Sequence, residues 1–304
     1  MMSKKFKKKS SIRVSTGRKI FLFCNNTFLI IFAIACLLPF FNLLAISLSD
    51  AAAVDAGEVV FLPIGFNLSA YEYLFKQKEF WNAFWVSIER VVLGTSLSLI
   101  INILAAYPLS RPKKNLKGRI FYVSIFVVTM FFNGGLIPNY LLMKELNIYN
   151  TIWSLVLPTA LNAWNMVLLI NFFKEVPSEL VEAAEMDGAS QFQILFKVIL
   201  PISLPALATV TLFTVVAHWN NWFDGSIYFN NGNVPLQTYI YQMLDEINYL
   251  SNSTNPADKE LLANLPGKTL RSAQIFIAMI PIMLVYPFVQ KYFIKGLTQG
   301  GVKE

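Results

Sequence analysis

Six long stretches without a single charged side chain constrain the fold of this sequence more than any other feature. Each is dominated by Leu, Ile, Val, Phe and Ala and spans roughly the 20 residues that a helix needs to cross a bilayer. The stretches are residues 20–49, 91–110, 120–143, 146–173, 198–223 and 272–290. Because backbone groups in lipid must be satisfied within their own segment, each stretch is predicted to be a transmembrane helix. The charged fraction of 14% agrees with this, since about a quarter is usual for soluble domains.

The predicted fold is that of an all-α membrane protein with six transmembrane helices in a domain covering residues 20–294. The helices are expected at about 20–49, 84–110, 120–143, 150–173, 198–223 and 272–294. A basic tail, residues 1–19, precedes this domain, and a short tail, residues 295–304, follows it. Three connections are long: the first external loop, roughly 50–82, between spans one and two, the loop 174–200 between spans four and five, and the loop 224–271 between spans five and six.

Two regions of this pattern need a separate interpretation. The run 225–244 is also free of charge, but its Asn, Gln, Gly and Pro residues predict an exposed loop and not a span. The third span is interrupted by Asn133, Gly134, Gly135 and Pro138, and Gly and Pro destabilise helix interiors. A broken helix near the outer surface and a simple helix end both fit this interruption.

The distribution of Lys and Arg predicts the orientation of the chain. With the N-terminus inside the cell, the cytoplasmic segments hold 18 Lys and Arg against 7 outside, whereas the acidic residues divide 6 inside and 12 outside. An excess of Lys and Arg marks the cytoplasmic side, so both termini and the loop 174–200 are predicted to be cytoplasmic. The tail 1–19, with eight basic residues, is explained by this topology and does not indicate nucleic-acid binding.

The cytoplasmic loop between spans four and five has the local signals of two short helices. Glu179 stands in the first turn of the first helix, where its charge favours the helix dipole. Gly188, after Asp187, is placed to end that helix in a left-handed conformation. Ser190 and Gln193 have the spacing of a capping box for the second helix.

The first of these helices has an acidic polar face on a cytoplasmic side that is otherwise basic. Glu182, Glu185 and Asp187 carry the charge, and Ala183 and Ala184 would let another surface approach closely. A docking element for a cytoplasmic partner and an amphipathic helix on the lipid headgroups both remain open. Headgroup helices usually carry Lys or Arg on the polar face, so the acidic residues favour docking.

This loop resembles the EAA loop of the membrane subunits of ABC importers. Glu182-Ala183-Ala184, Gly188 and Leu200-Pro201 stand at the spacing of that motif, with Val198 where the motif has Ile. The wider sequence is similar to the carbohydrate permeases of the type of the second maltose-transporter permease, and to their polysaccharide and oligosaccharide branch. GGLIPNYLLMKELNIYNTIWSLVLP, HWNNWF and KYFIKGLTQGGVKE carry that likeness. By resemblance, the ATPase-coupling residues are Glu182, Ala183, Ala184, Asp187, Gly188, Leu200 and Pro201.

The resemblance also implies a fold, an activity and partners. The fold is the transmembrane domain of type I ABC importers, and the activity is carbohydrate import across a bacterial or archaeal cytoplasmic membrane by alternating access. The partners are a second homologous permease in a heterodimer, two ATP-binding subunits and an extracellular solute-binding protein. ATP and Mg belong to the ATP-binding subunits, and this chain binds no cofactor. A second ATPase contact is implied in the C-terminal tail, at Gly296, Gly300 and Gly301.

Residues for enzymatic chemistry are scarce. Gly267-Lys268 resembles the end of a phosphate-binding loop, but the first glycine of that motif is replaced by Leu262. His218 is the only histidine, and both cysteines lie in the first span, so neither catalysis nor a metal site is expected. A self-sufficient secondary transporter or channel is the alternative, although neither inverted repeats nor intramembrane ion-binding carboxylates are visible.

Polar and aromatic residues in span four and late in span five are the candidates for a substrate pathway. Amides and aromatic faces suit sugars, and polar groups at membrane depth tend to face the bundle interior or water. The candidates are His218, Trp219, Asn220, Asn221, Trp222, Asn162 and Asn165, with Trp164 of similar character. An interfacial aromatic belt is an equally open interpretation of the tryptophans. Arg90, which does not pair with its neighbour Glu89, is expected to extend outward to the interface.

Overall fold

The structure, a computed structural model, describes residues 15–112, 116–229, 232–255, 257–258 and 267–300. All regular secondary structure in these residues is helical. The α-helices in chain order are α1 (Thr16–Ser47), α2 (Ala51–Asp55), α3 (Ser69–Lys76), α4 (Lys78–Ser110), α5 (Arg119–Val128), α6 (Leu136–Glu145), α7 (Ile152–Val156), α8 (Ala163–Glu175), α9 (Ser178–Met186), α10 (Gln191–Ile194), α11 (Leu200–Ile202), α12 (Leu204–Asn220), α13 (Phe223–Tyr228), α14 (Leu236–Asn252) and α15 (Lys268–Gly300). A 3-10 turn (Leu157–Thr159) follows α7, and a π-helical turn (Leu195–Ile199) joins α10 to α11.

Six helical segments have the length and apolar character of membrane spans. Three are single helices: α1, α4 and the part of α15 from Lys268 to Pro287. The other three are bent pairs, namely Arg119–Phe131 with Leu136–Glu145 at 114°, Ile152–Thr159 with Ala163–Lys174 at 47°, and Gln191–Ile202 with Leu204–Asn220 at 83°. With each bent pair counted as one crossing, the described residues hold the six spans that the sequence predicts.

The interruption of the third span is a break between two helices. Gly135 has a backbone φ of 92°, a conformation that favours glycine, and its N–H donates to Asn133 Oδ1 at 2.9 Å. α6 begins at the next residue and runs at 114° to the preceding helix. Of the two interpretations of this interruption, the broken helix is therefore correct.

The expectation of an exposed loop at 225–244 is wrong. This part of the chain contains most of α13 and the first half of α14, and Leu236, Thr238 and Ile240 are buried. The N–H of Leu236 donates to Ser87 Oγ in α4 at 2.7 Å. Asn and Gln lower the local apolar character, but tertiary contact with α4 and α15 stabilises the helix and overrides that local signal.

α4, α8 and α12 form the centre of the bundle, and α1 packs beside α15 at its edge. The large side chains of α1 between Ile20 and Phe41 are exposed, as expected for a helix that faces lipid. At the cytoplasmic end, the connection between spans four and five contributes its own side chains to the core. This core combines Tyr107 of α4 and Phe173 of α8 with Val181 of α9 and Ile194 of α10.

Candidate functional site

The connection between spans four and five has an anchored face and an exposed face. Val181 of α9 is buried in the cytoplasmic core, and Ala184, one turn later, packs against the same core. Residues that recur at helical spacing on the other side of α9 are exposed: Glu179, Glu182, Ala183 and Met186. The protein therefore holds this helix in place while it presents an acidic and partly apolar stripe outward.

The turn after α9 is a Schellman motif. The N–H of Gly188 donates to the carbonyl of Glu185 at 3.1 Å, and the N–H of Ala189 donates to the carbonyl of Ala184 at 2.9 Å. Gly188 has a φ of 77°, the left-handed conformation that its position in the sequence predicts. The turn redirects the chain from α9 into α10 without a bulky side chain.

The capping box predicted for the second helix is confirmed. Ser190 Oγ accepts from the N–H of Gln193 at 3.3 Å, and Gln193 Oε1 accepts from the N–H of Ser190 at 2.7 Å. The last residues of the motif, Leu200 and Pro201, lie in α11, where Leu200 packs partly against the cytoplasmic core and Pro201 is exposed. Local hydrogen bonding thus fixes α10 relative to α9.

Met186 belongs to the exposed stripe of α9, although the sequence motif did not identify it. Its side chain is 88% exposed, more than that of any other large apolar residue in the part of the chain that the structure describes. Its place at the end of the acidic helix, two positions before Gly188, makes it part of the same exposed surface. Glu182, Ala183 and Asp187 are exposed beside it, as a docking element requires.

The C-terminal candidates are only partly within the described residues. Gly296 and Gly300 lie in the last part of α15, and Gly301 lies outside the described residues. Their role stays a prediction.

Four of the predicted pathway residues line one cavity of about 450 Å³ between α4, α8 and α12. They are Asn162, Asn165, His218 and Asn221. Trp164 lines it too, as do the polar side chains of Arg90, Ser98 and Thr214. Asn162 caps α8 by accepting from the N–H of Asn165 at 3.0 Å, and Asn165 Nδ2 donates to Thr214 Oγ1 at 3.3 Å. The local hydrogen bonds of α8 and α12 therefore orient amide groups toward this space.

The expectation that Arg90 extends outward is wrong, because its side chain is only 1% exposed and points into the bundle. Its guanidinium pairs with the carboxylate of Asp224 and donates to the carbonyl of Asn221 at 2.9 Å. Asn221 Nδ2 also donates to Asp224, at 2.9 Å. Burial raises the pKa of the Asp224 carboxyl, and the Arg90 guanidinium opposes that rise. Arg90 borders the cavity, and Asp224 compensates the charge of this buried cation.

Close packing fixes the position of His218. Gly94 of α4 lies directly against the imidazole ring, and a Cβ atom at that position would overlap Nε2 and Cε1. His218 is itself buried, at 4% exposure. Only a glycine at position 94 therefore lets α12 approach α4 with this ring between them.

Three of the predicted pathway residues do not line this cavity. Trp219 is buried, and its Nε1 donates to the carbonyl of Ala278 in α15 at 3.0 Å. Asn220 lines a separate groove beside α15, and Trp222 stacks on Tyr241 of α14 with ring centroids 3.7 Å apart. In this conformation the residues of HWNNWF therefore do not form one site: His218 and Asn221 line the polar cavity, and the others contact α14 or α15.

Six apolar spans, a polar cavity between them and an anchored cytoplasmic helix–turn–helix define a multi-pass membrane protein of the transporter class. Residues 13–299 match the family described as binding-protein-dependent transport system inner membrane component. The chain belongs to this family and is a permease of an ABC transporter in the cytoplasmic membrane. The class of protein and the fold predicted from the sequence are confirmed.

Relatives with known systems are similar over nearly the whole chain. The polygalacturonan/rhamnogalacturonan transport system permease protein YtcP of Bacillus subtilis is 38% identical over 284 residues, which cover 91% of this chain and 96% of YtcP. Protein LplC of the same organism is 37% identical over 287 residues, 94% of this chain and 95% of LplC. A crystal structure of a bacterial ABC transporter for import of the acidic polysaccharide alginate contains a chain with 34% identity and a TM-score of 0.80. The match covers 93% of this chain and all of that one.

Proposed function

We propose that this permease imports an oligosaccharide by alternating access. The observation that carries the proposal is its full-length likeness to a subunit of the alginate importer, in sequence as well as in fold. The name of YtcP, which specifies two polysaccharides, supports the same substrate class. The cavity between α4, α8 and α12 suits a sugar, because amides such as Asn162 and Asn165 bond hydroxyl groups and the Trp164 indole offers a face for apolar C–H groups.

The proposed assembly joins this chain to a second homologous permease, two ATP-binding subunits and an extracellular solute-binding protein. The exposed stripe of α9 supports ATPase docking, since it is acidic, carries small residues and ends in the projecting Met186. The C-terminal residues Gly296, Gly300 and Gly301 are proposed as a second ATPase contact.

The energy source in this proposal lies outside the chain. ATP and Mg are bound by the ATP-binding subunits, and this permease binds no cofactor and acts as a transport subunit without an ATPase site of its own. The replacement by Leu262 of the first glycine of the phosphate-binding motif supports this division of labour.

Uptake by the reconstituted complex tests the substrate class. The complete complex and its solute-binding protein would be placed in liposomes that contain ATP, and labelled alginate, galacturonan and maltose oligomers would be compared with a peptide of similar size. We expect at least one saccharide to enter and to stimulate ATP hydrolysis. Uptake of the peptide with no response to any saccharide would sink the proposal.

Substitution of Met186 tests ATPase docking. We expect Met186→Asp to reduce co-purification of the ATP-binding subunits by roughly tenfold, because it removes an apolar contact and adds a charge that must be desolvated. Leu62→Asp is the matched control: Leu62 is 78% exposed, and the charge asymmetry predicts that its loop faces the opposite side of the membrane. Equal recovery of the ATP-binding subunits with the wild type, Met186→Asp and Leu62→Asp would contradict docking at α9.

A further inference from the structure

A chain of hydrogen bonds connects α9 to the cytoplasmic end of α4. Arg111 Nη2 donates to Tyr107 Oη at 2.6 Å, Tyr107 Oη donates to Gln191 Oε1 at 2.8 Å, and Gln191 Nε2 donates to Glu185 Oε1 at 3.3 Å. The Arg111 guanidinium also lies 4.6 Å from the centroid of the Tyr107 ring. The chain thus runs from span two through α10 to the helix that presents the proposed docking stripe.

The chemistry of the four groups gives this chain a fixed direction. A guanidinium can only donate, and an ionised carboxylate can only accept. The tyrosine hydroxyl accepts from Arg111 and donates onward, and the amide of Gln191 accepts with its oxygen and donates with its nitrogen. Every donor therefore points from the cation toward the anion, an arrangement in which successive hydrogen bonds polarise one another.

The surroundings of the chain leave room for movement. Tyr107 is buried in the cytoplasmic core, but its hydroxyl and the side chain of Gln191 border a cavity of about 490 Å³ lined also by Leu104, Pro108 and Leu195. The side chains around these hydrogen bonds are therefore not closely packed on the side that faces this cavity. The hydrogen bonds are a specific connection between α10 and α4 there, beside the apolar contacts of the cytoplasmic core.

α4 extends from this connection to the proposed pathway. Tyr107 and Ser98 lie on the same uninterrupted helix, and Ser98 borders the polar cavity between α4, α8 and α12. The two residues are roughly 14 Å apart along the helix axis, at 1.5 Å of rise per residue. A displacement of the cytoplasmic end of α4 would thus reach the cavity through a rigid element.

We propose that Tyr107 and Gln191 are positioning residues that transmit movement of α9 to span two, so that ATP hydrolysis by the partner subunits changes the access of the pathway. The inference rests on the proposed docking of ATP-binding subunits at α9. It adds a specific route, through Arg111, Tyr107, Gln191 and Glu185, that the sequence motif does not contain.

The test measures saccharide taken up per ATP hydrolysed in liposomes that hold the complete complex. Tyr107→Phe removes one oxygen and keeps the ring, and Gln191→Met keeps the length of an exposed side chain without its hydrogen bonds. We expect both variants to assemble and to hydrolyse ATP, with the uptake per ATP reduced roughly threefold or more. Tyr122→Phe, on the half-exposed ring of α5, is the matched control and keeps the wild-type ratio.

The double variant Tyr107→Phe/Gln191→Met tests whether the two side chains act in one route. If both side chains act in one route, the second substitution adds little to the loss caused by the first. An unchanged ratio of uptake to hydrolysis in both single variants would overturn the inference, even if the melting temperature falls. If Tyr107→Phe does not assemble, the exposed Gln191→Met decides alone. Failure of the proposed function is distinguishable, because the wild-type complex would then show no uptake of saccharide.

Discussion

At the scale of single residues, the environment of Arg90 depends on a carboxylate 134 positions away in the sequence. Removing one member of a buried ion pair leaves the other charge uncompensated, at a cost of roughly 3–5 kcal/mol. We therefore expect Arg90→Met and Asp224→Leu each to lower the thermal unfolding temperature of the purified complex clearly. The double variant should recover part of this loss, because no unpaired charge remains.

Thermal unfolding followed by intrinsic fluorescence measures this prediction. Tyr249→Phe, at an exposed position on α14, controls for the handling of variants. A double variant that loses as much as the two single variants together would show that the two side chains stabilise the protein independently.

The contact between Gly94 and His218, which are distant in sequence, gives a second prediction. Gly94→Ala places a methyl group against the imidazole of His218, and such overpacking costs about 1–3 kcal/mol. We expect less assembled complex and a lower unfolding temperature, with recovery in Gly94→Ala/His218→Ala, where the ring is gone. Gly17→Ala, at a helix position with open space, should have no such effect. Loss of stability that persists in the double variant would contradict the packing argument.

The conformation and partners of a single residue could be predicted from the sequence only where they depend on residues close by in the chain. The cap formed by Ser190 and Gln193 and the left-handed Gly188 depend on neighbours within a few positions, and both were predictable. The partner of Arg90 comes from α13 and the ring that covers Gly94 comes from α12, so no local pattern contains them. Such pairs can be identified only from a structure in which α4 packs against α12 and α13.

At the scale of helices, the turn between α9 and α10 sets the direction of the proposed docking element. Gly188 has a φ of 77° and open space around it, so conformation and not size limits the residue there. We expect Gly188→Val to insert into the membrane but to reduce uptake strongly, since a β-branched residue is strained in this conformation by roughly 1–2 kcal/mol. Gly188→Asn should retain much more uptake, because Asn tolerates the left-handed region.

Uptake and saccharide-stimulated ATP hydrolysis, normalised to the amount of inserted protein, measure the two variants. Equal losses in Gly188→Val and Gly188→Asn would show that the site needs the absence of a side chain and not the backbone conformation.

The same scale shows where helix prediction from the sequence fails. Hydrophobic length identified the six spans, but the angles at their breaks depend on packing, as in the 83° bend at Ser203, a buried residue between α11 and α12. The helix α14 was missed because its Asn and Gln residues resemble a loop, while its buried face is formed only against α4 and α15. The buried Leu236, Ile240, Ile247 and Leu250 recur at helical spacing, but this apolar periodicity extends beyond the charge-free run 225–244 and is seen only over a longer window.

At the scale of the whole molecule, two distributions determine how the chain sits in the membrane. Exposed apolar side chains, dense along α1, form a surface suited to lipid. Basic residues concentrate on one side, which orients that surface. The polar cavity and the exposed stripe of α9 then lie toward opposite ends of the bundle, as alternating access driven from the cytoplasm requires.

This arrangement predicts a labelling pattern for intact cells. In a variant that carries Cys24→Ser and Cys36→Ser, single cysteines would be introduced as Leu62→Cys and as Glu182→Cys, both at exposed positions. A maleimide that does not cross membranes should modify the cysteine at position 62 in intact cells, because the first external loop faces outward. It should modify the one at position 182 only after permeabilisation, since the charge asymmetry places α9 in the cytoplasm. Modification of position 182 from outside would reverse the topology, and with it the proposed contact between α9 and an ATP-binding subunit.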